Sequence, residues 1–279
     1  MWKGTFMETF LEWFMYLFLG IFQGITEPLP ISSSGHLMML RALFNIPAVD
    51  FFFEVVLHFA SFLAIVYLFR QKLTELVVGS FRFVFKKDAE SKADFEYVLK
   101  IALAAIPAGL VGFFFKGFIE NNVLTLGLLP IGLALWVTAI FLFIVHRLSL
   151  VNNETYIGYK DALVIGLFQV VALLPGISRS GSTLVGGFLR KIELKALIEF
   201  SFILYLPIAF FSMILELTEV TTIDHPILPL IGAFMMSGLF TYLALKWFIG
   251  LVQKGYLKYF GFYCMGAGFF ALILHFIGL

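Results

Sequence analysis

Charge is scarce in this chain. Asp, Glu, Lys and Arg make up 13% of its 279 residues, against about 25% in ordinary soluble domains. A soluble protein of this length must cover its surface with polar side chains, and too few are present. Cysteine is nearly absent: the single Cys264 excludes an intramolecular disulfide and a cysteine-rich metal site. The formal net charge is +1, so no bulk basic surface for nucleic acid is expected. CxxC, HExxH, Walker-type and GxGxxG patterns are missing as well. What the chain has instead is hydrophobicity: 61% of residues are apolar, 36 are Phe, and the mean hydropathy is +0.99. That composition excludes disorder and predicts an all-α, polytopic membrane protein. The N-terminus carries Lys3 but also Glu8 and Glu12 and runs directly into a motif. It is therefore expected to remain in the mature protein rather than to act as a removable signal.

A spanning helix needs about 20 mostly apolar residues. Six stretches qualify, at about 51–69, 98–119, 124–145, 197–217, 227–250 and 258–279. Two further apolar stretches, 10–29 and 161–175, run into breakers instead: Pro28-Leu29-Pro30-Ile31-Ser32-Ser33-Ser34-Gly35 and Pro175-Gly176-Ile177-Ser178-Arg179-Ser180-Gly181. Each break is followed by an apolar segment too short to span, 37–44 and 182–189. The pattern reads as a helix, a break and a half-helix returning to the same side. Irregular backbone at membrane depth survives only where protein or a watery cavity satisfies it, so both breaks are candidate sites.

The breaks repeat each other. At an offset of 146, Gly20 matches Gly166, Gln23 matches Gln169, Ser32 matches Ser178, Ser34 matches Ser180 and Gly35 matches Gly181. Three spans lie between them, which reverses direction across the bilayer. The expectation is an inverted repeat, each half holding three spans and one re-entrant hairpin, with repeat one at about 6–145 and repeat two at about 155–279 of a single membrane domain. Such repeats are known from transporters, so architecture alone does not separate transport from catalysis. Placing the 70–97 loop, including the polar 86–96 stretch, in the cytoplasm puts 15 of the 19 basic residues inside, as the positive-inside rule requires. The 218–226 loop, with Glu219 and Asp224, then lies outside, and the two breaks enter from opposite sides. Trp2, Trp13 and Tyr256 suit interfacial belts.

Gln23 and Glu27 are four apart and share a helix face. Ser32, Ser33, Ser34 and His36 follow within one loop. Glu27 bonding its own loop, with the serines capping a half-helix, is the structural reading. The cost of an ionisable group in the bilayer, on the order of 2.5–3.5 kcal/mol, favours function. Arg179 in the second break offers five donors suited to phosphate. Ser178, Ser180, Ser182 and Thr183 add hydroxyls, and Gly176 and Gly181 allow close backbone approach. Half-helices beginning near Gly35 and Ser182 would point their positive ends at the same place. Two helix N-termini and one Arg make a site for a multiply charged anion; an Arg179–Glu27 ion pair is the structural alternative. His36 is a candidate general acid or base, and Ser33 a candidate nucleophile or phosphate donor. Glu54, His58 and Glu199 read as structural hydrogen-bonding groups near the interface. Met38, Met39 and the many Phe read as packing or lipid-facing residues.

Gln23-Gly24-Ile25-Thr26-Glu27-Pro28-Leu29-Pro30-Ile31-Ser32-Ser33-Ser34-Gly35-His36 resembles the first signature of the undecaprenyl-diphosphate phosphatase family, the bacterial membrane enzymes associated with bacitracin resistance. Pro175-Gly176-Ile177-Ser178-Arg179-Ser180-Gly181-Ser182-Thr183 resembles the second. The resemblance covers essentially the whole chain. Gln23 fills the variable place of the family's first motif and Pro28 stands where an aromatic residue is expected. The family match implies catalytic roles for Glu27, Ser33, His36 and Arg179. The flanking Ser32, Ser34, Gly35, Ser178, Ser180, Gly181 and Thr183, with their hydroxyls and accessible amides, are expected to bind phosphate beside them. A divalent cation, Mg²⁺ or Ca²⁺, would be held by Glu27 and Gln23. The implied reaction is hydrolysis of the lipid diphosphate to its monophosphate on the outer face of the bacterial cell membrane, which recycles the carrier for cell-wall polymers. His36 either activates water or activates Ser33, and direct attack by water is narrowly preferred. The rival from another class is a transporter or flippase for a phosphorylated lipid or anion. A homodimer is one assembly open to the chain.

Overall fold

The computed structural model describes residues 6–44, 51–148, 156–219 and 226–278. Trp2, Lys3 and Asp224, invoked above, lie outside them. The described residues form eleven α-helices and no strand: α1 Phe6–Thr26, α2 Ser33–Phe44, α3 Phe51–Leu68, α4 Arg70–Lys86, α5 Lys92–Phe118, α6 Leu128–Leu148, α7 Tyr159–Val171, α8 Arg179–Leu189, α9 Leu194–Glu219, α10 Ile227–Gln253 and α11 Leu257–Phe276. Five of them (α5, α6, α9, α10, α11) are long and apolar enough to cross a bilayer alone. A sixth span arises if α3 and α4, bent by 74° at Phe69, count as one. The protein is therefore an all-helical, multi-span membrane protein.

The stretch after Arg70 departs from the expected loop. Residues 70–86 form α4 because apolar residues recur at helical spacing there. Leu76 and Gly79 are buried, with Gly79 against Asp94 at the start of α5, while Val77, Phe81 and Phe85 stay exposed. Helix α4 stops at Lys87, which adopts a left-handed conformation. Asp88 then accepts from the Glu90 amide at 3.1 Å and the Ser91 hydroxyl at 2.8 Å, so α5 starts at Lys92 rather than near 98.

Small residues set the helix pairs, as van der Waals packing in a bilayer favours. Helix α1 lies along α10 in parallel, Gly20 against Ala233 and Gly24 against Ser237; α7 lies along α5 in parallel, Gly166 against Ala104 and Gly112 against Leu173. Helices α6 and α11 run antiparallel: Gly132 meets Gly268, the Trp136 indole donates to the Met265 carbonyl at 3.2 Å, and Gly261 meets Phe143. Helices α3 and α9 also run antiparallel, with Phe69 on Phe202 and Phe62 on Phe210. The largest apolar core gathers on α9, where Phe200, Phe202 and Leu204 are buried against α5–α8 residues such as Ile165 and Leu184.

Candidate active site

Two breaks interrupt helical runs, and each is built by local chemistry. In the first, Pro28 and Pro30 lack amide donors and end α1; the last turn closes with the Glu27 amide on the Gln23 carbonyl at 2.9 Å. Ser32 takes a left-handed conformation, φ 68°, which is unusual for a residue with a side chain. Its hydroxyl accepts from the Gly35 amide at 3.4 Å and its carbonyl from the His36 amide at 3.2 Å, so Ser32 caps α2. In the second break, Gly176 supplies a left-handed turn. Ser178 caps α8 by accepting from the Gly181 amide at 3.1 Å. Thr138 of α6 fixes this break, donating to the Gly176 carbonyl at 3.0 Å and accepting from the Ser178 amide at 2.9 Å.

The two breaks touch. A Cβ placed on Gly35 would lie 3.0 Å from the Cα of Gly176, so a side chain there would push the breaks apart. The N-termini of α2 and α8 are thereby brought together. The first amides of each helix have no intrahelical acceptor and carry the positive end of the dipole.

Glu27 is the hub. Its Oε2 accepts from Gln23 Nε2 at 2.9 Å and from the Ser33 hydroxyl at 2.7 Å, and lies 3.8 Å from His58 Nε2. Arg179 lies within Coulombic reach of Glu27 without forming a direct ion pair. Its guanidinium stacks 3.9 Å from the centre of the Tyr205 ring, and its Nη1 is buried with no protein partner. Gln23 is fully buried and its Oε1 is likewise unpartnered. Ser34 and His58 are the more accessible members of the group.

Other expected residues make hydrogen bonds within and around the breaks. His36 does not meet Ser33: its Nδ1 donates to the Ser32 carbonyl at 2.8 Å, which leaves Nε2 to accept from the Tyr263 hydroxyl of α11 at 2.9 Å. Ser34 and Ser180 each pair with the capping serine two residues before, at 3.4 and 3.3 Å. Ser182 donates to the Ser178 carbonyl at 2.8 Å, while Thr183 is fully buried against its own helix and Ser201. Sequence reasoning missed Tyr205 and read His58 as structural. His58 does donate from Nδ1 to the Glu54 carbonyl at 3.0 Å, but its other nitrogen faces Glu27. Glu54 itself pairs with Arg41, tying α2 to α3. The available signal for His58 was an ionisable group inside an apolar span; for Tyr205, lost among ten tyrosines, there was none. Among the described residues no cluster of three or more His, Cys, Asp or Glu is arranged to hold a metal.

Taken together, these features define a multi-span membrane protein with a buried carboxylate, a buried guanidinium and two helix N-termini gathered at a pair of touching breaks. The chain belongs to the bacitracin resistance protein BacA family, whose model matches residues 16–270. It is 38% identical to undecaprenyl-diphosphatase 2 of Bacillus thuringiensis over 252 residues, 89% of this chain and 93% of that one. Undecaprenyl-diphosphatase of Oceanobacillus iheyensis is 39% identical over 89% of this chain and 92% of its own. Undecaprenyl-diphosphatase 1 of Halalkalibacterium halodurans is 39% identical, with 89% and 91% covered.

Proposed function

We propose that this protein hydrolyses undecaprenyl diphosphate to the monophosphate and inorganic phosphate, recycling the lipid carrier for peptidoglycan synthesis and so countering bacitracin. The single observation that carries the reading is the contact of the two breaks, which gathers Arg179, Glu27, Ser33 and two helix N-termini at one place. Water attacks the terminal phosphorus, the bond to the bridging oxygen breaks, and the lipid monophosphate leaves. Phosphoryl transfer demands mainly positioning and charge stabilisation. Arg179 and the α2 and α8 N-termini supply the charge stabilisation. Ser33, held on Glu27, positions the water, and Glu27 takes its proton. His58, next to Glu27 and accessible, exchanges that proton with the outside. His36 keeps the first break in shape by holding Ser32 and Tyr263.

The oxygens of Glu27 and Gln23 suit a hard cation, and the unpartnered, buried Gln23 Oε1 fits a ligand role. Two oxygens are a partial set, so they would hold Mg²⁺ or Ca²⁺ only together with diphosphate oxygens and water. A cation there would neutralise charge on the diphosphate.

The pairing of helices supports two inverted halves, about 6–145 and 155–279. Helix α1 on α10 has its counterpart in α7 on α5, and the equivalent helices α3 and α9, like α6 and α11, pack antiparallel. Re-entry is supported by Arg190 at the end of α8, which bonds Asp161 at the start of α7 at 2.6 Å. These helices of 13 and 11 residues are about 20 and 16 Å long at 1.5 Å per residue, too short to span. His58 lies seven residues into α3, about 10 Å from the end of that helix opposite the basic α4 region, which supports a cleft served from the outer face.

The test is phosphate release from undecaprenyl diphosphate by purified protein in detergent, with and without chelator, beside Glu27→Gln. Release by the wild type that falls at least ~10²-fold in Glu27→Gln, with the residual release needing more metal, is the expected result. No release by folded wild type would instead favour the transporter or flippase reading; unchanged metal titration in Glu27→Gln would remove Glu27 as a ligand.

A further inference from the structure

The mechanism above leaves one buried group unused. Tyr205 lies in the middle of α9, 5% exposed, beside Glu27 and Arg179. Its ring is the platform on which the Arg179 guanidinium lies, 3.9 Å from ring centre to Cζ, with Phe202 next to it at 5.8 Å. Yet its hydroxyl has no hydrogen-bond partner. A buried phenol normally finds one, so an orphan marks a place where a partner is meant to arrive. Arg179 Nη1 is a second orphan in the same cluster. Both are donors, so the partner that satisfies both is an acceptor with more than one oxygen. The Glu27 carboxylate faces the phenol, but its Oε2 already accepts from Gln23 and Ser33 and the phenol makes no hydrogen bond of normal geometry to it. An anion entering the cleft meets the two open donors side by side, and the flat stacking of Arg179 on the ring presents its fork in a fixed plane.

We infer that Tyr205 is a phosphate-binding residue of this cleft, donating its hydroxyl to the same phosphate that Arg179 Nη1 grips, while its ring holds the guanidinium in orientation. This rests on reading the cleft as a phosphate site, but not on the phosphatase reaction itself. The assignment separates the two parts of one side chain. Tyr205→Phe keeps the platform and removes one donor; Tyr205→Leu removes both.

The experiment measures binding of inorganic pyrophosphate to purified full-length protein by thermophoresis, and in parallel kcat and KM for undecaprenyl diphosphate. Tyr205→Phe should bind pyrophosphate about tenfold more weakly, the scale of one hydrogen bond to a charged group. KM should rise and kcat should stay within about threefold. Tyr205→Leu should lower kcat as well, because Arg179 loses its orientation, and a merely structural tyrosine would not produce that split. Where Tyr205→Leu fails to fold, Tyr205→Phe alone decides, since it alters no packing. Wild-type affinity and wild-type KM in Tyr205→Phe would overturn the inference, as would a wild type that does not bind pyrophosphate. A wild type that binds pyrophosphate through Tyr205 but releases no phosphate from the lipid would overturn the phosphatase reading and leave this inference standing.

Discussion

Replacing Arg179 with alanine separates what the cleft does for the fold from what it does for chemistry. The guanidinium makes no hydrogen bond through Nη1 and stacks on Tyr205 at 3.9 Å. Removing it costs the fold a cation–π contact, about 0.5–2 kcal/mol, together with its attraction to Glu27. It also relieves the fold of a buried cation, whose insertion costs about 2.5–3.5 kcal/mol. These terms oppose each other, and a net change within about 2 kcal/mol shifts the thermal midpoint by less than about 8 °C. The transition state has no such compensation. Loss of one preorganised donor to developing negative charge is worth about 2.7–4 kcal/mol, or 10²–10³-fold in turnover. The assay is phosphate release from undecaprenyl diphosphate by wild type and Arg179→Ala at equal folded fraction, judged by size exclusion and thermal melting. A near-normal melt with turnover at least ~10²-fold down is the expected pair. A folded variant that keeps turnover within about tenfold of wild type would refute the reasoning, because one donor of this kind is worth more than that.

Other perturbations probe the remaining parts. Ser33→Ala removes the 2.7 Å bond to Glu27; attack by water predicts residual activity above background, and phosphate trapped covalently on wild-type protein would replace that route with a phosphoserine. Gly35→Val should leave a folded protein, since overpacking costs about 1–3 kcal/mol, but should cut turnover by about 10²-fold through misplacement of the two breaks; unchanged kcat would mean that their contact is not what assembles the site. Cysteines introduced at Asp88 and at Asn122 should react with an impermeant thiol reagent from opposite sides of the cell membrane, position 122 from outside, against the low background of buried Cys264. Reaction of position 88 from outside would reverse the orientation.

The breaks, the repeat and the membrane class were legible because each rests on local rules. Proline removes a donor wherever it stands, a run of about 20 apolar residues must be buried in lipid or protein, and a repeat is visible as identity at one offset. The stretch after Arg70 was harder. Its apolar residues are interleaved with Arg, Lys and Glu, and the burial of Leu76 together with the seat of Gly79 against Asp94 of α5 fixes α4. Chemistry-bearing residue types were likewise legible, as Glu27, Arg179 and Ser33 all lie at the touching breaks.

Which partner each residue takes was decided by tertiary structure. Ser33 turns to Glu27 rather than to His36, and His36 turns to Tyr263, which lies 227 residues away in sequence. His58 and Tyr205 reach the cleft from α3 and α9, helices that bear no part of either motif. Sequence thus determined that two polar breaks exist and what donors they carry, because backbone and side-chain chemistry act over a few residues. Their convergence required Gly35 to pass against Gly176 and distant helices to close around them, and contacts of that range are set by packing alone.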